Sequence, residues 1–154
     1  MVAGAGRTIV TDGLVAVVKR DCPTCVLVAP VLTDLAQRSQ VVVLTQDDPT
    51  FPEGINGVVD DTDLDFSWHH DLDTVPTLLR FEAGEETGRT VGWDREQWEA
   101  LTGVDGLGVD LPPWRPGCGS LSVDPNLADE LAVRFSGSVL RSRRIELAAL
   151  EDEF

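Results

Sequence analysis

Two cysteines separated by two residues, Cys22 and Cys25, are the residues of this sequence best suited to chemistry. A thiolate is both a nucleophile and a metal ligand, so this spacing is typical of a redox pair or of half a zinc site. A third thiol, Cys118, lies far along the chain, between two glycines. The elements around these three residues must decide which chemistry applies.

The cysteine pair lies between a predicted strand and a predicted helix. Residues 14–18 form an apolar, β-branched run, which is typical of a strand buried on both faces. Pro23 fits the first turn of a helix, and the apolar periodicity of residues 26–37 continues it, with a kink expected at Pro30. Cys22 should therefore lie at a helix N-terminus, where free N–H groups and aligned peptide dipoles favour a thiolate.

The chain after this helix reads as an alternation of strands and short helices. The strand–helix–strand order that begins it predicts a right-handed parallel crossover. Asp94 with Gln97 predicts a capping box that starts a helix with Trp98 on its apolar side. The other predicted elements are an edge strand at 8–10, strands at 41–44, 75–81 and 89–93, and a short helix at 66–72.

Two loops carry distinctive compositions. Four aspartates lie within residues 60–65, but the glycine and closing glutamate of a calcium loop are missing, which predicts a solvated acidic loop. From Thr102 the chain becomes rich in glycine and proline, and loops of this length are usually functional or are linkers. We therefore divide the chain into a domain at 1–101 and a C-terminal extension at 102–154. That extension contains the loop, a helix from Asp124 to about Phe135, and an acidic tail.

Composition limits the classes of partner. The 154 residues include 27 Asp and Glu against 12 Lys and Arg, a net charge of −15. A surface this negative repels phosphate, so we expect neither nucleic acid nor a membrane as a partner. Three cysteines are too few for a disulfide framework, and neither a secretory signal nor a membrane span is evident. The expectation is a cytoplasmic protein with reduced thiols and no cofactor, with an exported mature domain as the alternative.

Three features at matching separations resemble the thioredoxin superfamily, over roughly residues 14–101. They are the sequence Cys22-Pro23-Thr24-Cys25, the helix proline Pro30 five residues after the second cysteine, and the sequence Thr74-Val75-Pro76-Thr77, which resembles a cis-proline loop. The resemblance implies an α/β fold with a central mixed β-sheet flanked by helices. It also implies that the strand starting at Pro76 pairs antiparallel with the strand at 14–18.

The same resemblance implies residue roles. Cys22 would be the exposed nucleophile that attacks a disulfide, and Cys25 the buried thiol that resolves the mixed disulfide. Cis-Pro76, beside Cys22, would exclude a metal and so favour the redox interpretation over the zinc site. The predicted substrate groove consists of Pro23, Thr24, Thr74, Val75 and His70.

Two departures from the family pattern favour a specialised member. Asp21 stands where thioredoxins place Trp, and its carboxylate should raise the pKa of Cys22. The buried aspartate of thioredoxins would fall at about Ala16.

Cys118 leaves three interpretations open. It could be an exposed bystander on a flexible loop, a third redox thiol that exchanges a disulfide with Cys22, or the nucleophile of a second activity with Arg115 favouring its thiolate.

The predicted function is thiol–disulfide exchange through Cys22 and Cys25 with a protein or small-molecule partner. A protein partner would be a disulfide substrate or a reductase. The alternative is a thioredoxin-like binding or scaffold module, or the N-terminal module of a larger enzyme. In either of these cases the extension would dock a partner enzyme.

Overall fold

The computed structural model describes residues 12–135, and the account below is confined to them. The predicted strand at 8–10 and the acidic tail after residue 135 lie outside this range. The strands are β1 (Gly13–Val18), β2 (Val41–Thr45), β3 (Val59–Asp60), β4 (Thr74–Val75), β5 (Thr77–Glu82), β6 (Glu85–Val91), β7 (Trp93–Asp94), β8 (Trp114–Arg115) and β9 (Cys118–Gly119). The helices are α1 (Pro23–Arg38), α2 (Asp65–His69), α3 (Arg95–Thr102) and α4 (Ala128–Arg134), with a 3₁₀ helix at Leu121–Val123.

A five-stranded mixed sheet in the order β3-β2-β1-β5-β6 forms the centre of the fold, with helices flanking it. The central strand β1 is parallel to β2 and antiparallel to β5, and its residues 14–18 are all buried. A β-branched run buried on both faces explains why this strand could be predicted. The α/β class and the mixed sheet are thus confirmed.

Helix α1 begins at Pro23 and continues through Pro30 to Arg38. Cys22 is its N-cap residue, and the Cys22 side chain accepts the backbone N–H of Cys25. The helix buries one face, which includes Val28, Leu32 and Leu35, in the same core as β1. Burial of that apolar stripe fixes the helix against the sheet and so fixes the position of Cys22.

The β5–β6 hairpin and α3 follow the prediction with two corrections. The return strand starts at Glu85, not residue 89, because the turn consists of Ala83 and Gly84, both at positive φ. Asp94 caps α3 by accepting the Gln97 N–H, as predicted. The reciprocal half of the capping box is missing, because the Gln97 side chain accepts the Thr90 hydroxyl instead.

The acidic loop is not fully solvated, contrary to prediction. Asp61 is only 2% exposed and accepts the N–H groups of Phe66 and Ser67 together with the Ser67 hydroxyl. These bonds satisfy the free donors at the start of α2. One carboxylate of the loop therefore has a structural role.

The extension packs against the sheet domain along much of its described length. Leu107 is fully buried in the core cluster that contains Trp93 and Trp98. Further on, the helix expected from Asp124 begins later, at Ala128, after the 3₁₀ helix. Within residues 12–135 no helix has the length and apolar character needed to cross a bilayer.

Candidate active site

The loop that presents Cys22 is held by the end of the neighbouring strand. The Asp47 carboxylate, just after β2, accepts the backbone N–H groups of Arg20 at 2.7 Å and Asp21 at 3.0 Å. The Arg20 side chain in turn binds Asp48, with Nε 2.5 Å from Oδ2. Sequence reasoning missed Asp47, although parallel β1 and β2 end at one edge of the sheet, which was a usable signal.

Cys22 is surrounded by donors that stabilise its thiolate. Its pKa is lowered to about 5, chiefly by the hydrogen bond with the Cys25 thiol, while burial opposes the shift. The Cys118 thiol and the N–H groups of Cys25 and Thr24 lower the pKa further. The expectation of a Cys22 pKa raised by Asp21 is wrong, because Asp21 is exposed and the donors around Cys22 lower its pKa overall.

Cys25 has the opposite ionisation. It is fully buried, and burial raises the pKa of its thiol well above its ordinary value, with the hydrogen bond to Cys22 acting in the same direction. At neutral pH the pair therefore holds one thiolate, at Cys22, and one protonated thiol, at Cys25. The Cys25 thiol donates to the Cys22 sulfur, which makes the two ionisations mutually supporting.

The proline loop lies beside this pair. The Val75–Pro76 peptide bond is cis, as the resemblance implied. The Cys22 Sγ lies 3.7 Å from the carbonyl oxygen of Val75, so Pro76 and Cys22 are neighbours despite their separation in sequence. The opposite side of the loop is fixed by Gly92, whose N–H donates to the Pro76 carbonyl at 2.8 Å.

The predicted groove is occupied by the chain's own extension. Strand β9 pairs antiparallel with β4, so that Cys118 lies opposite Val75. The Thr24 hydroxyl donates to the carbonyl of Pro116 at 2.7 Å. Cys22 is consequently only 1% exposed, and the prediction of an exposed nucleophile is wrong for this conformation.

Gly117 is what allows this close approach. A Cβ at this position would lie 2.5 Å from the Val75 carbonyl oxygen and 2.6 Å from the Thr74 methyl carbon. Any side chain would therefore push the extension away from the proline loop. By contrast, a Cβ on the next glycine, Gly119, would meet nothing within 4 Å.

Cys118 belongs to the same cluster of thiols. It is half-buried, and its thiol hydrogen-bonds with Cys22, while the Thr24 N–H interacts with both sulfurs. Burial, followed by the effect of Cys22, raises the pKa of Cys118. Cys118 is therefore not an exposed bystander on a flexible loop, which was one of the three interpretations of this residue. The cation that favours its thiolate is Lys19, and Arg115 is not among the influences.

One predicted site residue, His70, does not lie near the cysteines. The ring of His70 stacks on Phe66 at 4.1 Å and meets the edge of Phe81 at 5.5 Å. Phe81 pairs with Gly13, and Gly13 is five residues from Val18, the end of β1 that leads to Cys22. Five residues correspond to about 17 Å along the strand. His70 thus lies towards the other end of the sheet, whereas Pro23 is exposed beside Cys22.

Ala16, where the resemblance placed a buried acid, is fully buried between Val43 and Leu78 in the sheet. Among residues 12–135 no group of three or more His, Cys, Asp or Glu side chains is arranged to hold a metal ion.

In comparisons with known proteins, no family model and no curated protein matched this sequence.

Proposed function

We propose that this chain is a thioredoxin-like thiol–disulfide oxidoreductase in which Cys22 attacks and Cys25 resolves. The observation that carries the proposal is the placement of Cys22 at the N-cap of α1, where its sulfur accepts the Cys25 N–H at 3.3 Å and lies 3.7 Å from the Val75 carbonyl oxygen. The pKa of Cys22, lowered to about 5, and that of Cys25, which is raised, agree with this placement. A thiolate is the attacking species in disulfide exchange, and a thiolate of low pKa is also a good leaving group. Cys22 therefore suits both the formation and the release of a mixed disulfide.

Two structural features support the thioredoxin-like assignment. Helix α1 follows β1 directly and carries the cysteine pair at its N-terminus. The cis Val75–Pro76 bond places a backbone carbonyl 3.7 Å from the Cys22 sulfur. The partner is a protein disulfide, a small-molecule disulfide or a reductase, and the net charge of −15 favours a protein partner with a basic surface. A reducing cytoplasm is the compartment that we propose for this chemistry.

The test is a redox titration in a Cys118→Ser background, where only Cys22 and Cys25 can pair. The chain is equilibrated in glutathione or dithiothreitol buffers, alkylated and mapped by mass spectrometry. We expect a two-electron Cys22–Cys25 couple between about −120 and −320 mV, the span of cellular thiol systems. Further Cys22→Ser or Cys25→Ser substitution should abolish this couple. No Cys22–Cys25 disulfide at any potential in this range would reject the proposal.

The burial of Cys22 under the extension favours one alternative function, a binding or scaffold module that docks a partner enzyme. Cys22 is 1% exposed, whereas Trp114 in the extension and Val26 on α1 are 61% and 52% exposed. Exposed apolar side chains are common at docking surfaces. Insulin-type disulfide reduction separates the two functions, because the oxidoreductase loses this activity on Cys22→Ser. Activity unchanged by that substitution would instead favour the module.

A further inference from the structure

Strand β9 brings a cysteine backbone to the edge of the proline loop. β4 and β9 form a two-stranded sheet of their own, with Cys118 opposite Val75 and Gly119 opposite Thr74. The carbonyl oxygen of Val75 is also the group 3.7 Å from the Cys22 sulfur. Cys118 and Cys22 therefore approach the same residue, Val75, from two directions.

Two further contacts hold the segment that precedes Cys118. The buried Thr24 hydroxyl, in the turn between the two cysteines, donates to the Pro116 carbonyl at 2.7 Å. The main chain at Gly117 passes so close to Val75 that a Cβ could not be accommodated. These contacts fix the backbone on the N-terminal side of Cys118 against both halves of the site.

Cys22 interacts with both of the other thiols. The Cys25 thiol and the Cys118 thiol each lower its pKa, so the three sulfurs belong to one cluster. Cys25 is fully buried, whereas Cys118 is half-buried. Cys22 itself is 1% exposed, so Cys118 is the thiol of the three with the most access to solution.

We propose that Cys118 is the outer thiol of a three-thiol relay, through which disulfides pass between solution and the Cys22–Cys25 pair. The segment 114–119 then acts as a substrate strand that the chain itself carries. The inference rests on the proposed exchange function of Cys22 and Cys25 and adds a residue to it. The external oxidant belongs to the class of low-molecular-weight disulfides, RSSR, which is one of the partner classes proposed above.

The relay balances in three exchange steps. Cys118 attacks RSSR, forms Cys118–S–SR and releases one RSH, which takes the Cys118 proton. The Cys22 thiolate then attacks the Cys118 sulfur, forms the Cys22–Cys118 disulfide and expels RS⁻. Finally Cys25 attacks the Cys22 sulfur, the Cys22–Cys25 disulfide forms, and the Cys25 proton passes to the released Cys118 thiolate. Two protein thiols are oxidised and one RSSR is reduced to two thiols.

The first experiment traps the middle step. Full-length Cys25→Ser protein is treated with oxidised glutathione, quenched in acid, alkylated and mapped without reduction. We expect a Cys22–Cys118 crosslinked peptide as the main product. Only a glutathione adduct, at either cysteine and without the crosslink, would overturn the relay.

A matched pair of glycine variants tests whether β9 positions Cys118. In the Cys25→Ser background, Gly117→Ala should slow the crosslink about tenfold or more, because small displacements of a reacting group are costly. Gly119 lies two residues further on, and a Cβ there would meet nothing within 4 Å, so Gly119→Ala should stay within about twofold of its parent. Equal crosslinking rates in the two variants would overturn the positioning role of the strand.

A kinetic comparison separates this inference from the proposed function. Cys118→Ser should keep a measurable Cys22–Cys25 couple at equilibrium but slow its oxidation by glutathione disulfide about tenfold or more. An unchanged rate would overturn the relay while the oxidoreductase proposal stands. Loss of the Cys22–Cys25 couple at equilibrium would overturn the proposed function and, with it, the relay that rests on that function.

Discussion

The ionisation of Cys22 depends on groups from two distant parts of the chain, the start of α1 and Cys118. A helix N-terminus could be predicted from Pro23 and the periodicity that follows, and it supplies the N–H groups of Thr24 and Cys25. The larger contribution comes from the Cys25 thiol, and a smaller one from Cys118, 96 positions away. The spacing of residues in the sequence does not show how strong such a hydrogen bond is. The sequence therefore suggests a larger effect of Asp21 on the pKa of Cys22 than the structure supports.

These contributions predict an order among variants of the reduced protein. Cys25→Ala should raise the pKa of Cys22 more than Cys118→Ala does, because the Cys25 hydrogen bond is the larger cause. The ultraviolet absorbance of the thiolate, followed against pH, measures this: half-ionisation is expected near pH 5 in the wild type and higher in both variants. Cys22→Ala is the control and should lose the acidic titration.

The reverse order of shifts would contradict this account of the site.

The lowered pKa of Cys22 also makes the stability of the reduced protein depend on pH. The reduced wild type gains stability from Cys22 above its unfolded pKa near 9.0 and loses it as pH falls towards about 5.

Among the helices and strands, those with a long periodic pattern of apolar residues could be predicted from the sequence. Strand β1 and helix α1 carry long apolar patterns, and the structure confirms both. Strands β4, β7, β8 and β9 have two residues each and form around Val75, Trp93 and their partners. A two-residue strand has no period of its own, so its existence depends on a partner that local sequence cannot identify.

Arg95 holds the part of the extension that precedes the segment beside the cysteines. Its guanidinium donates to the carbonyls of Leu107, Gly108 and Leu111, at 3.1, 2.7 and 2.6 Å. The neighbouring Trp93 indole donates to the Pro112 carbonyl at 2.6 Å. These bonds fix the loop just before β8, so they also determine where β9 can reach.

Arg95→Ala should therefore loosen the extension and expose the thiols. Loss of three charge-assisted hydrogen bonds should lower the free energy of unfolding by about 2–4 kcal/mol, measured by urea denaturation. Alkylation of Cys118 in the folded protein should become faster. Glu96→Ala removes an exposed neighbour on the same helix turn and should change neither quantity appreciably. Equal effects of the two substitutions would show that Arg95 does not hold the extension.

Across the whole molecule, a buried polar network joins β2, α2 and the extension. The Gln46 amide nitrogen donates to the hydroxyls of Ser67 at 2.8 Å and Ser120 at 2.7 Å, and its oxygen accepts the Leu121 N–H. Ser67 also donates to the Asp61 carboxylate at 2.6 Å. Ser120 follows Cys118 by two residues, so this network anchors the chain on the far side of the third thiol.

The network also marks where sequence reasoning stopped. Gln46 and Asp61 both lie in a stretch whose Asp, Pro and Gly content is typical of a solvated loop. The buried Gln46 amide binds Ser120, 74 residues further on, and composition cannot reveal that pairing. The fold class and the Cys22–Cys25 pair could be predicted because they rest on local pattern. The covered site could not, because it depends on contacts distant in sequence.

Asp61 gives this network a pH dependence of definite sign. Burial raises the pKa of its carboxyl to about 6, above the ordinary 3.8, so folding favours the protonated form and stability from this group falls as pH rises. The unfolding free energy of the wild type minus that of Asp61→Asn should decrease by roughly 1 kcal/mol from about pH 5 to about pH 7.5, measured by urea denaturation. Asp60→Asn is the matched control: the pKa of Asp60 is lowered by bonds from Thr62, so its difference should stay flat over this interval. A wild-type advantage over Asp61→Asn that grows with pH would mean that this carboxyl is buried as a stabilised anion.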